Sequence, residues 1–454
     1  MRLPVFSTYR ELSDAPRRFL FFSMFNVVSW QCTVGAILVL FAREIGMPPA
    51  WVGFLISFMP FSMVLVAGTM PLVTLLGPRR LMFGTWLIRN LTVSAVFLMP
   101  SATASYGPRA AWYVLIAATL GFCVVRAVGA GGWFPWLHEV LPENQRGMFF
   151  TTEAAVVQTV NVAIVLLQGL LLMGNPGLDR FLVVYGVGIG VGLFSTGLML
   201  RIPGGRAIEE VFSLAASFRS YGVALADRRF VRFVVTASLC FSSAGWLTSA
   251  FVMYLRDVLC LSERIILTLM ATGSFGILLT IRSWGRFADH SGSGRAMSKT
   301  MTGHAIAALF FLALVPGAPW TFYLVGPAVV ILNVFNAALF VAANRSLLHH
   351  VRETARVGYT SIWITMTAIT MGATPILAGM VIQTWGLWGF RACFGLSAFT
   401  GIGCALACLW AVDDGRKDVE TRSWMLNPVL PLRTLGRIVW ITAGLHESNR
   451  AQRG

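Results

Sequence analysis

The chain is 454 residues long, 56% hydrophobic and 12% charged, with a formal net charge of +16 and a mean hydropathy of +0.73. Those proportions exclude a water-covered globular protein, because so little polar side chain cannot clothe so much apolar surface. The basic excess does not point to nucleic acid, since arginines and lysines punctuate apolar runs instead of gathering in one water-facing domain.

Residues 1–18 carry Arg2, Arg10, Arg17 and Arg18 and read as a cytoplasmic N-terminal segment. The apolar run that follows is too long for a signal-peptide core, so it predicts an uncleaved first helix. Apolar spans lie near 19–41, 51–76, 81–100, 111–134, 149–173 and 181–202. Each approaches or exceeds the ~20 residues a helix needs to cross a ~30 Å hydrocarbon core, where lipid offers backbone groups no other partner. These six form an N-terminal bundle, 19–202. Pro203-Gly204-Gly205 then stops the helix, and residues 203–229 read as a cytoplasmic linker marked by Arg206, Arg219, Arg228 and Arg229. Within it, Val211 to Leu225 mixes apolar with small polar residues and predicts a short helix lying at the interface.

Six further spans, near 233–255, 265–282, 300–315, 320–343, 359–382 and 390–411, build a C-terminal bundle, 230–412. The fold class is an all-α membrane protein of twelve transmembrane helices in two six-helix pseudo-repeats. Residues 413–454 form a tail whose apolar stretches, Trp424 to Leu435 and Ile438 to Leu445, are too short to span and are expected on the membrane surface. With both termini cytoplasmic, Lys and Arg concentrate on the cytoplasmic side, as the positive-inside rule requires. Trp133, Trp136, Trp385 and Trp388 fall near span ends, where indole rings anchor at the interface.

The two halves echo each other. Glu143-Asn144-Gln145-Arg146 follows the fourth span and Glu353-Thr354-Ala355-Arg356 follows the tenth, giving Glu-x-x-Arg at matching places. After spans two and eight, Gly77-Pro78-Arg79-Arg80 stands against Gly285-x-x-x-Asp289-x-x-Gly292-x-x-Arg295. Such repeats are the logic of alternating-access carriers, which hold their solute at the midplane.

The second of these loops resembles the signature of the major facilitator superfamily, and the resemblance implies the twelve-helix carrier fold and a latch at the cytoplasmic gate. Gly285, Asp289, Gly292 and Arg295 match it. In the first half Gly77, Arg79 and Arg80 remain, but Thr74 stands at the acidic position and Met70 at the leading glycine, so that latch is degraded. Arg126 with Gly129, Gly131 and Gly132 is similar to the family's buried-arginine motif. The glycine-proline motif of drug-proton antiporters is missing from the fifth span.

A narrower resemblance, to the magnetosome major facilitator proteins, rests on Leu3 to Leu12, on Gly132-Trp133-Phe134-Pro135-Trp136-Leu137-His138-Glu139-Val140 and on the loop Trp284 to Met297, and spans most of residues 1–412. It implies a magnetotactic bacterium, an inner membrane giving rise to the magnetosome membrane, other magnetosome membrane proteins as partners, and iron supply for magnetite.

Charged groups inside a membrane cost several kcal/mol unless paired or wet, so each is a candidate for function. Arg89, Arg126, Glu153 and His304 are the transport and coupling candidates. Arg126 and Glu153 sit on adjacent antiparallel spans and are expected to pair, with Glu153 exchanging protons. Asn26, Gln31, Gln158, Asn161, Asn333 and Asn336 are candidates to line the cavity, with Ser242 and Ser243 beside them; neutral amides orient a solute without capturing it. Gly186, Gly188, Gly190 and Gly192 let the sixth span pack closely.

A bare ferric ion would want several oxygen ligands, and the buried arginines suit an anionic metabolite or an iron complexed by an anionic ligand better; the resemblance implies iron or an iron complex as the solute, moved into the magnetosome lumen. A small organic anion at the cell membrane and a non-transporting scaffold of the same fold remain open. The seven cysteines lie in or beside apolar spans without metal or disulfide spacing. No metal site, no cofactor and no enzymatic activity are expected, because no water-facing segment holds a nucleophile-base pair or a phosphate-cradling loop.

Overall fold

The computed structural model describes residues 12–142, 145–174, 176–206, 214–352 and 355–412, all of it helix and connecting turns with no strand among them. In the first half the helices are α1 (Asp14–Thr33), α2 (Ala36–Glu44), α3 (Pro49–Ser62), α4 (Met70–Leu76), α5 (Pro78–Val93), α6 (Met99–Tyr106), α7 (Arg109–Ala130), α8 (Trp133–Val140), α9 (Arg146–Leu171) and α10 (Leu178–Met199). The linker helix α11 (Leu214–Ala226) precedes α12 (Arg228–Met253), α13 (Glu263–Ser291), α14 (Ser293–Ala313), α15 (Pro319–His350), α16 (Arg356–Trp385) and α17 (Leu387–Ala411).

Among the described residues, eleven helical stretches are long and apolar enough to cross a membrane. The twelfth is α14, whose first turns are polar and which is packed between α15 and α17. Ser293, Ser298 and Thr300 on it are buried. A helix shielded by protein does not need the apolar surface that lipid demands, which is why the apolar run near 300–315 marks only its second half.

First-half spans are interrupted where second-half spans run on. The first span breaks between α1 and α2 at Val34-Gly35, and the Tyr185 hydroxyl donates to the Thr33 carbonyl at 2.9 Å, satisfying a group the break frees. A 3-10 turn, Met63–Gly68, divides the second span, and another, Ser94–Leu98, divides the third.

The chain divides into two compact units. The first comprises Met1–Ser213, Val252–Ala271 and Pro375–Thr384; the second comprises Leu214–Phe251, Thr272–Thr374 and Trp385–Gly454. In the first unit, Phe19 is ringed edge-on by Phe22, Trp133, Trp136 and Phe149 at 5.1–6.1 Å between centroids. Trp136 is therefore core and not an interfacial anchor: it is fully buried and its indole N–H donates to the Pro203 carbonyl at 3.0 Å. Trp385 and Trp388 are exposed, as anchors should be. α10 meets α1 through its glycines, since a Cβ at Gly188 would stand 2.5 Å from Cys32 and one at Gly192 2.5 Å from Ser29.

In the second unit, Phe233 stacks on Trp363 at 5.2 Å and on His350 at 5.0 Å. Asp227 caps α12, accepting from the Arg229 and Phe230 N–H groups at 3.1 and 3.3 Å, from the Tyr359 hydroxyl at 3.0 Å, and pairing with Arg352 at 3.0 Å. Burial alone would raise its pKa, but these donors and the arginine together hold the carboxyl below its ordinary value. A depressed carboxylate contributes stability above the unfolded-state pKa of about 4 and loses it as pH falls through the folded value. Asp227→Ala is therefore expected to lower stability by about 1–2 kcal/mol at neutral pH, with the deficit shrinking in melts recorded at pH 3.

Candidate functional site

Arg89 on α5 is fully buried, and Arg126 on α7 is partly so. The Asn26 side-chain oxygen on α1 accepts from Arg89 Nη2 at 2.6 Å and from the Trp86 indole at 2.9 Å, so one amide fixes both groups. The Arg89 guanidinium lies 4.4 Å from the Trp86 ring centroid and 5.2 Å from that of Phe122, while Arg126 lies 4.4 Å over Trp30. Trp30 and Phe122 are themselves 6.1 Å apart. The two cations thus share an aromatic box, in which ring faces partly compensate charge. Arg126 also donates to the Met63 sulfur at 3.5 Å. Neither arginine forms an ion pair among the described residues, and Arg89 Nε is buried without an acceptor.

The expected Arg126–Glu153 pair is not formed. Arg126 is held by Trp30 and Met63, and Glu153 on α9 instead accepts from the Ser23 hydroxyl at 3.1 Å. Glu153 and Arg126 therefore remain separate groups of the first unit.

The close approach of α5 and α7 that builds the box depends on glycine. A Cβ at Gly129 would stand 2.6 Å from the Trp86 ring, and one at Gly132 would stand 2.9 Å from the Pro78 carbonyl oxygen. Gly129→Val is expected to push Trp86 away and to cost about 1–3 kcal/mol by overpacking, read as a lowered melting temperature and stronger quenching of indole fluorescence by solutes.

The remaining candidates divide. Gln31 contributes its carbonyl to Gln168 at 3.0 Å, and Gln158 and Asn161 lie half-buried on α9. Asn333 donates to the Val329 carbonyl at 2.8 Å and packs on Gly273 of α13, where a Cβ would meet it at 2.6 Å; it serves helix packing. Asn336 is exposed. Ser243 is buried and exchanges hydrogen bonds with Ser397 on α17, at 3.2 and 2.8 Å, whereas Ser242 meets the Thr374 hydroxyl at 3.1 Å. His304 is 1% exposed, and neither of its ring nitrogens meets a side-chain partner among the described residues.

The paired loops share backbone geometry but not chemistry. Gly77 (φ 80, ψ 146) and Gly292 (φ 88, ψ 152) occupy the same positive-φ conformation at the starts of α5 and α14, a turn that favours glycine. In the second unit Asp289 accepts from Arg345 Nε at 2.8 Å, and Arg345 also reaches Ser293 at 2.7 Å. At the matching place in the first unit, Thr74 bonds only its own helix, to the Pro71 carbonyl at 2.9 Å. Other groups bond beside it: Glu139 accepts from the Gly205 N–H at 2.6 Å and Arg79 donates to the Leu200 carbonyl at 2.5 Å. Gly285 lies in the body of α13, Arg295 is half-buried on α14, and Arg80 is exposed on α5. Glu143 and Glu353 of the paired Glu-x-x-Arg loops lie outside the described residues, as does the tail.

The first unit has a second charged cluster at the end of α1–α2 remote from Asp14, which the sequence reading did not single out. Arg43 Nε pairs with Asp257 at 2.9 Å and donates through Nη1 to the Met47 carbonyl at 2.5 Å. Arg256 Nη2 pairs with Glu44 at 2.6 Å and its Nε with Glu263 at 3.1 Å. These side chains are 11–30% exposed. A π-helical turn, Tyr254–Val258, presents Arg256 and Asp257 after α12. Arg43-Glu44 and Arg256-Asp257 are both Arg-acid dipeptides at the close of a half's first span, and each arginine takes the acid of the other copy. That repeat was the available signal. Beside them α3 and α16 touch backbone to backbone, since a Cβ at Gly379 would meet the Pro49 carbonyl oxygen at 2.5 Å, and the Ala50 N–H donates to Gln383 at 3.2 Å.

The sequence profile described as "Major Facilitator Superfamily" matches residues 236–445. No curated protein gives a significant sequence match. Among solved structures, a bacterial homologue of the iron transporter ferroportin in an inward-facing state is similar at 12% identity and a TM-score of 0.69, covering 88% of this chain and 99% of that one. The nucleoside transporter NupG is similar at 10% identity and 0.65, covering 88% and 99%. A POT family transporter in complex with 5-aminolevulinic acid gives 10% and 0.65, over 87% and 94%. The fold is the major facilitator fold.

Proposed function

We propose that this chain is a secondary carrier of the major facilitator type whose solute is an anion, specifically iron held in an anionic ligand, delivered from the cytoplasm into the magnetosome lumen. The observation that carries the anionic reading is the Arg89–Arg126 box: two cations inside a membrane-spanning unit with aromatic neighbours and no acidic partner among the described residues. Buried charge without a counter-ion is costly, and an arriving carboxylate or phosphate would relieve that cost through charge-assisted bonds. A bare ferric ion is poorly matched, because among the described residues no three or more His, Cys, Asp or Glu side chains stand together as ligands.

The iron cargo and the magnetosome membrane rest on the resemblance to the magnetosome protein MamH. The structural neighbours are named for solutes as different as nucleosides and iron, so fold likeness does not choose among them. Orientation, with both termini cytoplasmic, rests on the distribution of Lys and Arg. Protons are the proposed coupling ion, with Glu153, half-buried on Ser23, as the group that takes and releases them. Glu153→Gln is then expected to abolish flux driven by a pH gradient while leaving membrane insertion intact; unchanged flux removes Glu153 from the mechanism.

The deciding experiment is uptake into proteoliposomes under an imposed pH gradient, with ferric citrate, free iron salts and citrate alone. Flux of the chelate supports the reading. Flux of free cation with the chelate ignored overturns it, and flux of citrate without any link to iron favours the organic-anion carrier.

A further inference from the structure

One contact in the first unit sets a cation against a sulfur. Arg126 donates through Nη1 to the Met63 sulfur at 3.5 Å and stacks over Trp30, with no other hydrogen-bond or ion-pair partner among the described residues. We propose that Met63 is an oxidation site whose sulfoxide takes over Arg126 and closes the aromatic box to its anion. This rests on the reading of that box as the solute site and adds its regulation.

The two oxidation states of the sulfur differ in what they offer a guanidinium. A thioether is a weak acceptor, so Arg126 is poorly satisfied by it and gives it up to an arriving carboxylate or phosphate. The sulfoxide is polar, with an oxygen that accepts hydrogen bonds. Tethered beside Arg126, that oxygen competes with solute from within the chain.

The oxidant is hydrogen peroxide, and the step balances. The Met63 sulfur attacks one peroxide oxygen, the S–O bond forms as the O–O bond breaks, and the departing hydroxide takes the proton left on the transferred oxygen to become water. Sulfur loses two electrons and peroxide gains them. The Arg126 N–H group already at the sulfur can donate to the departing oxygen.

Position singles out this methionine. Met63 is half-buried and opens the 3-10 turn Met63–Gly68, no residue of which is fully buried. A small neutral oxidant has access there that it lacks at Met82, Met297 or Met301, each wholly buried. Met173 supplies the contrast. Its sulfur accepts from Arg264 at 3.0 Å, but both residues are exposed and neither belongs to the box.

The test measures uptake of ferric citrate by proteoliposomes before and after hydrogen peroxide, with sulfoxide at each methionine followed by peptide mass spectrometry. Wild-type uptake is expected to fall about tenfold, the factor set by one charge-assisted competitor, in step with sulfoxide at Met63. Met63→Leu, compared with its own untreated sample, is expected to keep its rate, whereas Met173→Leu should lose its rate as the wild type does. Uptake that survives full oxidation of Met63, or that falls equally in Met63→Leu, overturns the proposal. Where Met63→Leu folds poorly, the wild-type time course decides, since a loss that tracks another methionine overturns it too. A melting comparison needs no transport. Oxidised wild type is expected to melt above equally treated Met63→Leu, because a cation has gained an acceptor, and the gain should vanish in the Arg126→Met background. Untreated protein that moves no chelate refutes the solute reading instead; the absence of the melting gain then overturns the Met63–Arg126 proposal separately.

Discussion

Arg256→Gln is expected to raise the rate at which a thiol reagent reaches the interior of the first unit from the end remote from Asp14 about tenfold or more. Arg256 makes two charge-assisted contacts, to Glu44 and Glu263. Hydrogen bonds to charged groups contribute about 1.5–3 kcal/mol each when shielded. The partial exposure of this cluster reduces their sum to about 2 kcal/mol, and about 1.4 kcal/mol corresponds to a factor of ten in an equilibrium. The proposed carrier must open this end once per cycle, so the variant should favour the open form. The reporter is Ser57→Cys, at a residue wholly buried on α3, in a background where the exposed native thiol Cys260 is replaced by Ser. The charge exchange Arg43→Asp with Asp257→Arg should restore the slow rate that either change alone abolishes. Equal labelling in all variants would mean that the pairs do not govern closure.

Arg89→Met is expected to raise the melting temperature while reducing anion uptake a hundredfold or more. Replacing a buried, unpaired charge by an apolar side chain of similar length removes its desolvation cost, and such exchanges are neutral or stabilising by about 1–4 kcal/mol. For a chain of this size that is several degrees. Removing the hydrogen bond to Asn26 and the stacking on Trp86 sets the gain toward the lower end of the range. Uptake falls because the remaining cation, Arg126, cannot grip a carboxylate or phosphate from two sides. Arg89→Lys should fail as well, since a point charge cannot serve Asn26 and a solute in one plane. A variant that melts lower and transports normally would assign Arg89 to structure alone.

Most spans were legible in the sequence because hydropathy reports transfer into lipid, and lipid-facing helices such as α17 obey it. On α14 it marked only the second half, 300–315, because the first turns are shielded by protein and carry Arg295 and Lys299. It also missed the breaks at Val34-Gly35 and Ser94–Leu98, whose freed backbone groups depend on neighbours distant in sequence. Arg89, Arg126 and Asn26 could be named from their charge or polarity in apolar runs, and the structure brings all three into one region. Trp30, Trp86 and Phe122 could not, because aromatic residues are ordinary in membrane spans and only packing turns their faces toward a cation. The Arg126–Glu153 pairing failed for a related reason: antiparallel neighbours at similar depth share a level, but helix rotation decides which side chains meet.

The crossed pairs Arg43–Asp257 and Arg256–Glu44 have the form of an isologous contact, in which position i of one copy meets position i+1 of the other and the reverse holds equally. Two separate six-helix chains, each ending its first span in Arg-acid, would make the same two bridges across a twofold axis. Within the first unit, the two bridges therefore tie together segments more than two hundred residues apart in sequence. A change of sign at Arg43 is thus expected to need the reverse change at Asp257, in the opposite half of the sequence.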